Sequence, residues 1–142
     1  MAKIDQDHAL FETLIDQPAE QLTSTACVPC ADSSADQDRR CRTRIRETLA
    51  KYLTVSLRHF DQEYQLMNEI LFPRDFIEAH AIEHDKLLQL VNQAIGAMHD
   101  GASTTLLIEI IGEIGRAYRY HCDSIDTIMQ DHLHSIPTPS QR

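Results

Sequence analysis

The first residues in this sequence that could do chemistry are two histidines four positions apart. His80 and His84 lie in the stretch FIEAHAIEHDKLLQLV, whose apolar residues recur at helical spacing. Residues four apart lie on one face of an α-helix, one turn above the other. Both imidazoles could therefore reach a single ion, and the spacing is typical of a metal-chelating pair. The alternative is that each is an ordinary histidine of the protein core.

Three further helical patterns carry residues that could complete such a site. The first pattern places His8 on its apolar face, and the second places His59 and Glu63 on one stripe. The last pattern offers His121 and Asp126, whose spacing is slightly out of phase, so we expect these two side chains to flank the seam between helices. A buried glutamate is costly unless it is paired or binds a metal. One such group in each of four helices predicts a shared metal site.

Helical periodicity also predicts the elements that must position these residues. We expect helices at about 4–17, 36–71, 74–99 and 104–134, with Phe72-Pro73 and Asp100-Gly101 as the stops between them. Ser103 or Thr104 can cap the last helix, whose inward positions include Ile125 and Ile128. Strand signals are nearly missing. The prediction is an all-α protein, an up-down-up-down four-helix bundle with a metal site in its core.

Domain boundaries follow from the breaks in this pattern. We assign residues 1–136 to one domain with a cysteine-containing insert at 21–38, and residues 137–142 to a tail or the start of a linker. The insert contains Cys27 and Cys30, and Cys41 follows it. These three thiols could bind zinc or act as a redox switch. The alternative is that they are reduced thiols in a mobile insert.

Composition excludes several classes of function. The chain has 142 residues and a net charge of −9, which argues against nucleic acid or an anionic membrane as the main partner. No apolar run approaches the length of a membrane span, and the N-terminal MAKIDQDH lacks the apolar core of a signal peptide. We therefore expect a cytoplasmic protein.

The donor set indicates which metals to expect. Five imidazoles and two carboxylates are too many for one ion, whereas two ions bridged by both carboxylates use every donor. Imidazole suits iron, copper, zinc and nickel, and bridging carboxylates favour iron or manganese. The Glu-x-x-His motifs of ferritin-like sites do not precede any of these histidines. A histidine-rich site with few anionic ligands favours reversible O2 chemistry over oxygenase chemistry.

At this point the chain resembles a known family, the haemerythrins. The motifs that carry the resemblance are His8, His59-x3-Glu63, His80-x3-His84 and His121-x4-Asp126. The segment HFDQEYQLM with the following Phe72-Pro73 is similar to the second-helix motif of bacterial members. The chain departs from the family at Ala117, where Trp is common, and at Cys122, where Ile is usual.

The resemblance implies two iron ions joined by an oxo or hydroxo bridge. One iron would take His80, His84 and His121. The other would take His8 and His59 and keep an open position for O2 or another small diatomic or anionic ligand. Glu63 and Asp126 would bridge the two ions, and Phe60, Met67 and Ile114 would keep water away.

The resemblance favours binding over catalysis. Haemerythrin domains occur at the N-terminus of bacterial signalling proteins, including diguanylate cyclases, so we expect an oxygen- or redox-sensing module with a C-terminal output domain as partner. A free-standing O2 carrier or storage protein is the alternative. A more distant alternative is a zinc peptidase, because His80-Ala-Ile-Glu83-His84 matches the inverted zinc motif with Glu83 as general base.

Overall fold

The structure, a computed structural model, describes residues 6, 9, 10, 13 and 35–135. Helix α1 spans Ala35–Glu69, α2 spans Arg74–His99 and α3 spans Thr104–Tyr120. A π-helical turn, His121–Asp126, joins α3 to the last helix, α4, which spans Thr127–Ser135. No strand occurs among the described residues, so the all-α prediction is confirmed for them. The predicted helix at 4–17, with His8, lies largely outside them, as does the tail.

The predicted bounds hold best where the chain carries strong stop signals. Helix α2 has the predicted limits, and Gly101 follows it with a φ of 82°, the left-handed conformation that glycine adopts without a steric penalty. Ser103 caps α3 by accepting a hydrogen bond from the Leu106 amide at 3.2 Å. Helix α1 starts at Ala35, so residues 35–38 of the predicted insert are helical. The rest of the insert lies outside the described residues.

Leu71 makes the reversal between α1 and α2. Its φ of 55° is left-handed, and the Phe72 amide donates back to the Met67 carbonyl at 2.9 Å. This is the hydrogen-bond pattern with which a left-handed residue closes the end of a helix. Pro73 then begins α2, because its fixed φ suits a helix start and its missing N–H is not needed there. The short reversal sets α1 and α2 side by side.

Two apolar clusters form the core of the described part. The larger joins α1, α2 and α3 and includes Ile45, Leu49, Val91 and Ile114, each 1% exposed or less. The smaller is built on three buried side chains, Met67, Phe72 and Met129. Along α1 the only acidic side chain that is buried, Glu63, falls between these two clusters. The polar residues of interest therefore form a band within an apolar interior.

The last helix differs from the expectation of a continuous α-helix. Six residues form a π-helical turn, which holds one residue more than an α-helical turn. Beyond it Met129 is fully buried, whereas Ile128 is 52% exposed. The prediction that Ile128 points inward is therefore wrong, because the additional residue rotates everything that follows.

No helix in the described ranges combines the length and apolar character needed to cross a membrane.

Candidate metal centre

Helix α1 contributes His59 and Glu63, both of which are fully buried. They lie one helical turn apart, and His59 Nε2 is 3.0 Å from Glu63 Oε1. The helix reaches this point with a continuous stripe of large apolar residues, among them Tyr52 and Phe60. Packing of that stripe against α2 and α3 forces the two polar side chains into the interior.

Helix α2 contributes His80 and His84, as the four-residue spacing predicts. Their ring centroids are 4.3 Å apart, and both Nε2 atoms face Glu63. The distances to Glu63 Oε2 are 3.2 Å from His80 and 3.0 Å from His84. The apolar residues on either side, Phe76 and Leu87, pack into the two apolar clusters. The same face of the helix thus serves both the core and the site.

The π-helical turn contributes His121 and Asp126. In an α-helix residues five apart point about 140° away from each other, whereas a π-helical turn stacks them. His121 Nε2 is 2.9 Å from Asp126 Oδ1, and Asp126 is fully buried. The expectation that these side chains flank the seam is therefore wrong. The turn brings both into the same cluster.

Five of these side chains form a tight group. Each of Glu63, His80, His84, His121 and Asp126 offers one ligand atom, and these atoms lie within 4.8 Å of one another. All five residues are buried. The sixth, His59, stands at the edge of the group, where its Nε2 lies 3.7 Å from Asp126 Oδ2.

The two carboxylates divide their oxygens between the two sides of the group. Glu63 turns Oε1 to His59 and Oε2 to His80 and His84. Asp126 turns Oδ2 to His59 and Oδ1 to His80 and His121. Each carboxylate therefore connects His59 on one side with two members of a histidine trio on the other, and the trio consists of His80, His84 and His121.

The spacing within the histidine trio and its carboxylate oxygens fits a metal ion. Donors bound at a right angle to one ion, each about 2.1 Å from it, lie about 3.0 Å apart. The nitrogen-to-oxygen distances around the trio run from 2.9 to 3.3 Å, and His84 Nε2 and His121 Nε2 are 3.1 Å apart. His80 Nε2 is buried and makes no well-aligned hydrogen bond within the described part of the chain. The donors present therefore fit a bound metal.

The electrostatic environment shifts the pKa values of His80 and His84 in opposite directions. Burial opposes the charged form of His80, but the carboxylates of Asp126 and Glu63 outweigh it and raise its pKa to about 9. Burial lowers the pKa of His84 to about 4, since Glu63 only partly offsets it and His80 and His121 add to it. His84 is thus held in the neutral form that a metal requires, whereas His80 would release a proton to an incoming ion.

Aromatic rings pack against two of these histidines and restrict their orientation. Phe60 lies parallel to the His84 ring at a centroid distance of 3.7 Å and an angle of 9°. Phe76 meets His80 edge-on at 5.5 Å and 87°. Side chains held in this way lose less rotational freedom on binding an ion. The expected packing of Phe60, Met67 and Ile114 around the site is compatible with their burial.

Several sequence candidates lie elsewhere. His8, Cys27 and Cys30 fall outside the described residues. Cys41 lies on α1 and is 2% exposed within the larger apolar cluster, so it is a core residue and not an accessible thiol of the insert. Glu83, the general base of the zinc-peptidase alternative, receives a hydrogen bond from Lys86 Nζ at 2.6 Å and is not part of the five-residue group.

The sequence marked Cys122 only as a departure from the family pattern, and the structure sets it beside Asp126 and Glu63. Burial raises the pKa of its thiol, and the carboxylates of Asp126 and Glu63 raise it further. In the absence of a metal the thiol therefore stays protonated. Its position next to His121 was the only signal in the sequence.

No family model, curated protein or solved structure matches this chain.

Proposed function

We propose that the protein is a non-haem di-iron protein of the haemerythrin type that binds O2, within an up-down-up-down four-helix bundle. The observation that carries this proposal is the division of the Glu63 and Asp126 oxygens between His59 and the histidine trio. A carboxylate that bridges two ions directs one oxygen to the ligands of each. Glu63 and Asp126 each direct one oxygen to His59 and the other to the histidine trio, and this shared arrangement supports two neighbouring ions.

In this proposal the histidine trio would hold one iron and His59 would help to hold the other. Glu63 and Asp126 would contribute to both sites, and the resemblance adds His8 to the second. Bound iron would supply reversible two-electron binding of O2. The chain's own residues position the donors, keep His84 neutral and exclude water with the rings of Phe60 and Phe76. The excess of imidazoles over carboxylates favours binding over catalysis.

We further propose that the protein senses oxygen or redox state, with free-standing O2 storage as the alternative. The segment that carries His121 and Asp126 continues without a break into α4. A change at the metal centre could therefore reach a partner or output domain beyond this helix. The donors on α1 and α2 lie well inside long helices.

The first prediction is the metal content. Protein purified after expression with iron should carry two irons per chain, as measured by plasma mass spectrometry, and should gain visible absorption on oxidation. His121→Ala should lose at least one of the two irons because it removes a ligand. His99→Ala is the matched control, since His99 is exposed at the end of α2. One zinc and no iron in the wild-type protein would contradict the proposal.

A further inference from the structure

The last helical segment carries two apolar faces that are offset by one residue. An α-helix turns 100° per residue, so an uninterrupted helix would set Ile125, Ile128 and His132 within about 40° of His121. Two of these three residues are large aliphatic side chains. The α-helical register would therefore present an apolar face to the core.

The π-helical turn presents a different face. Because the turn adds one residue, Asp126, Met129 and Leu133 take the inward positions. Met129 is fully buried and Leu133 is partly buried against Met67 and Phe72, the other members of the smaller cluster. Ile128, in contrast, is left 52% exposed. The same segment can therefore direct apolar side chains towards the core in either register.

We propose that this segment is a two-state register switch and that a bound metal selects the π-helical register. The proposal rests on the metal site of the preceding section. Asp126 reaches the histidine trio only in the π-helical register, since the α-helical one turns it about 140° from His121. A metal that uses Asp126 therefore binds the two registers with different affinity. Such a difference is what shifts an equilibrium between two states.

Loss of the metal favours the α-helical register for two reasons. A carboxylate buried as deeply as that of Asp126 loses part of the attraction that offsets its desolvation once the ion is gone, and only its histidine partners remain. The α-helical register releases Asp126 towards solvent and buries Ile128, which is close to Met129 in volume and can replace it against Met67. Helix α4 then rotates by about 100° and shifts by about 1.5 Å. Its outer surface changes accordingly.

Methyl NMR on the full chain tests the switch. The zinc-loaded and chelator-treated proteins are compared in the presence of a soluble paramagnetic reagent, and zinc is used because it is diamagnetic. With zinc, the Ile128 methyl signals should broaden strongly and the Met129 methyl should not. With chelator, the Met129 methyl signal should broaden strongly and the Ile128 methyl signals should not. If zinc binds but the same methyl signals broaden in both samples, the proposal is overturned.

Three variants separate the switch from the metal site. Deletion of Ser124 removes the additional residue and leaves the aspartate four positions after His121, so the variant should bind zinc and keep Met129 protected in both samples. Asp126→Ala should expose Met129 in both. Asp123→Ala, an exposed carboxylate in the same turn, is the matched control and should behave as the wild type.

The variants also distinguish failure of the switch from failure of the proposed function. If no metal binds to the wild-type protein, the proposed function is wrong, and selection of the register by a metal fails with it. If metal does bind, exposure of Met129 in Asp126→Ala would support the switch. A wild-type pattern in it would overturn the switch whether or not metal binds.

Discussion

At the scale of single residues, the unusual feature is a pair of carboxylates in an apolar interior. Glu63 and Asp126 are both fully buried. A buried charge of this kind is stable only where partners compensate it, and each of these carboxylates has histidines on two sides. The histidines could serve as ion-pair partners or as fellow ligands. The division of the oxygens favours the second interpretation.

Glu63→Gln tests that interpretation. The substitution keeps the size of the side chain but replaces one oxygen by an amide nitrogen, which is a donor and cannot bridge to an ion. We expect the iron content to fall from two per chain to one or none, as measured by plasma mass spectrometry. Glu109→Gln, at an exposed position on α3, should leave it unchanged. Two irons and an unaltered visible spectrum in Glu63→Gln would refute the bridging role.

At the scale of elements, α1 and α3 are joined near their N-terminal ends. The Thr104 hydroxyl donates to the Asp38 carboxylate, and Arg42 Nη2 donates to the Ala102 carbonyl at 2.6 Å. The hydrogen bond from Thr104 lowers the pKa of Asp38, Arg42 contributes further, and the slight burial of the carboxyl acts in the opposite direction. These contacts hold the start of α3 against α1. They thereby set the direction in which α3 carries His121 towards the site.

Thr104→Val should destabilise the metal-free protein in a pH-dependent way. A carboxyl whose folded pKa lies below its unfolded value of 3.8 stabilises the fold above that value, and the contribution is lost as pH falls through the folded pKa. The side chain of Asp38 is 50% exposed, so solvent screening limits the effect. We expect a loss of roughly 2 °C in melting temperature near neutral pH. The difference should shrink in strong acid.

Circular dichroism at both pH values measures this effect, with chelator present throughout. Thr105→Val is the matched control because Thr105 is the exposed neighbour on the same helix. An equal loss of melting temperature at neutral and acid pH would show that Thr104 acts by packing alone. In that case the hydrogen bond to Asp38 would not account for the loss of melting temperature.

At the scale of the whole molecule, the site ties together three separate parts of the chain. Helices α1 and α2 and the π-helical turn each supply two of its six described donors. Helices α1, α2 and α3 also share the larger apolar cluster, whereas α4 adds only Met129 to the buried set. If a metal binds in this site, a change there should therefore move α4 more readily than α1, α2 or α3.

Hydrogen exchange of oxidised and reduced protein tests the sensing role on this basis. We expect the two forms to differ chiefly over residues 125–135, because these follow the donors and are held by few buried contacts. Residues 88–99 are the internal control, since they also follow donors on their helix but pack into the larger cluster through Val91 and Ala94. Equal protection over 125–135, despite a confirmed change in iron oxidation, would favour O2 storage over sensing.

The sequence alone determined the helices and most of the donors. Apolar residues three and four apart record which face of a helix is buried, and this signal is local, so the bounds of α2 and the pairs His59/Glu63 and His80/His84 could be read directly. The first predicted helix, its His8 and the four-helix arrangement remain predictions. They depend on residues outside the described ranges.

Only the tertiary structure decided the π-helical turn and its consequences. Local periodicity assumes 3.6 residues per turn, and on that assumption Ile128 belongs in the core and Asp126 does not face His121. A π-helical turn is rare and occurs mostly as a single turn within an α-helix, often at a functional site. Here Asp126, the last residue of the turn, lies near His59 and His80 on two other helices. Because these partners are distant in sequence, local periodicity could not reveal the turn that brings Asp126 into the buried group, although the donor set had predicted that both carboxylates serve two ions.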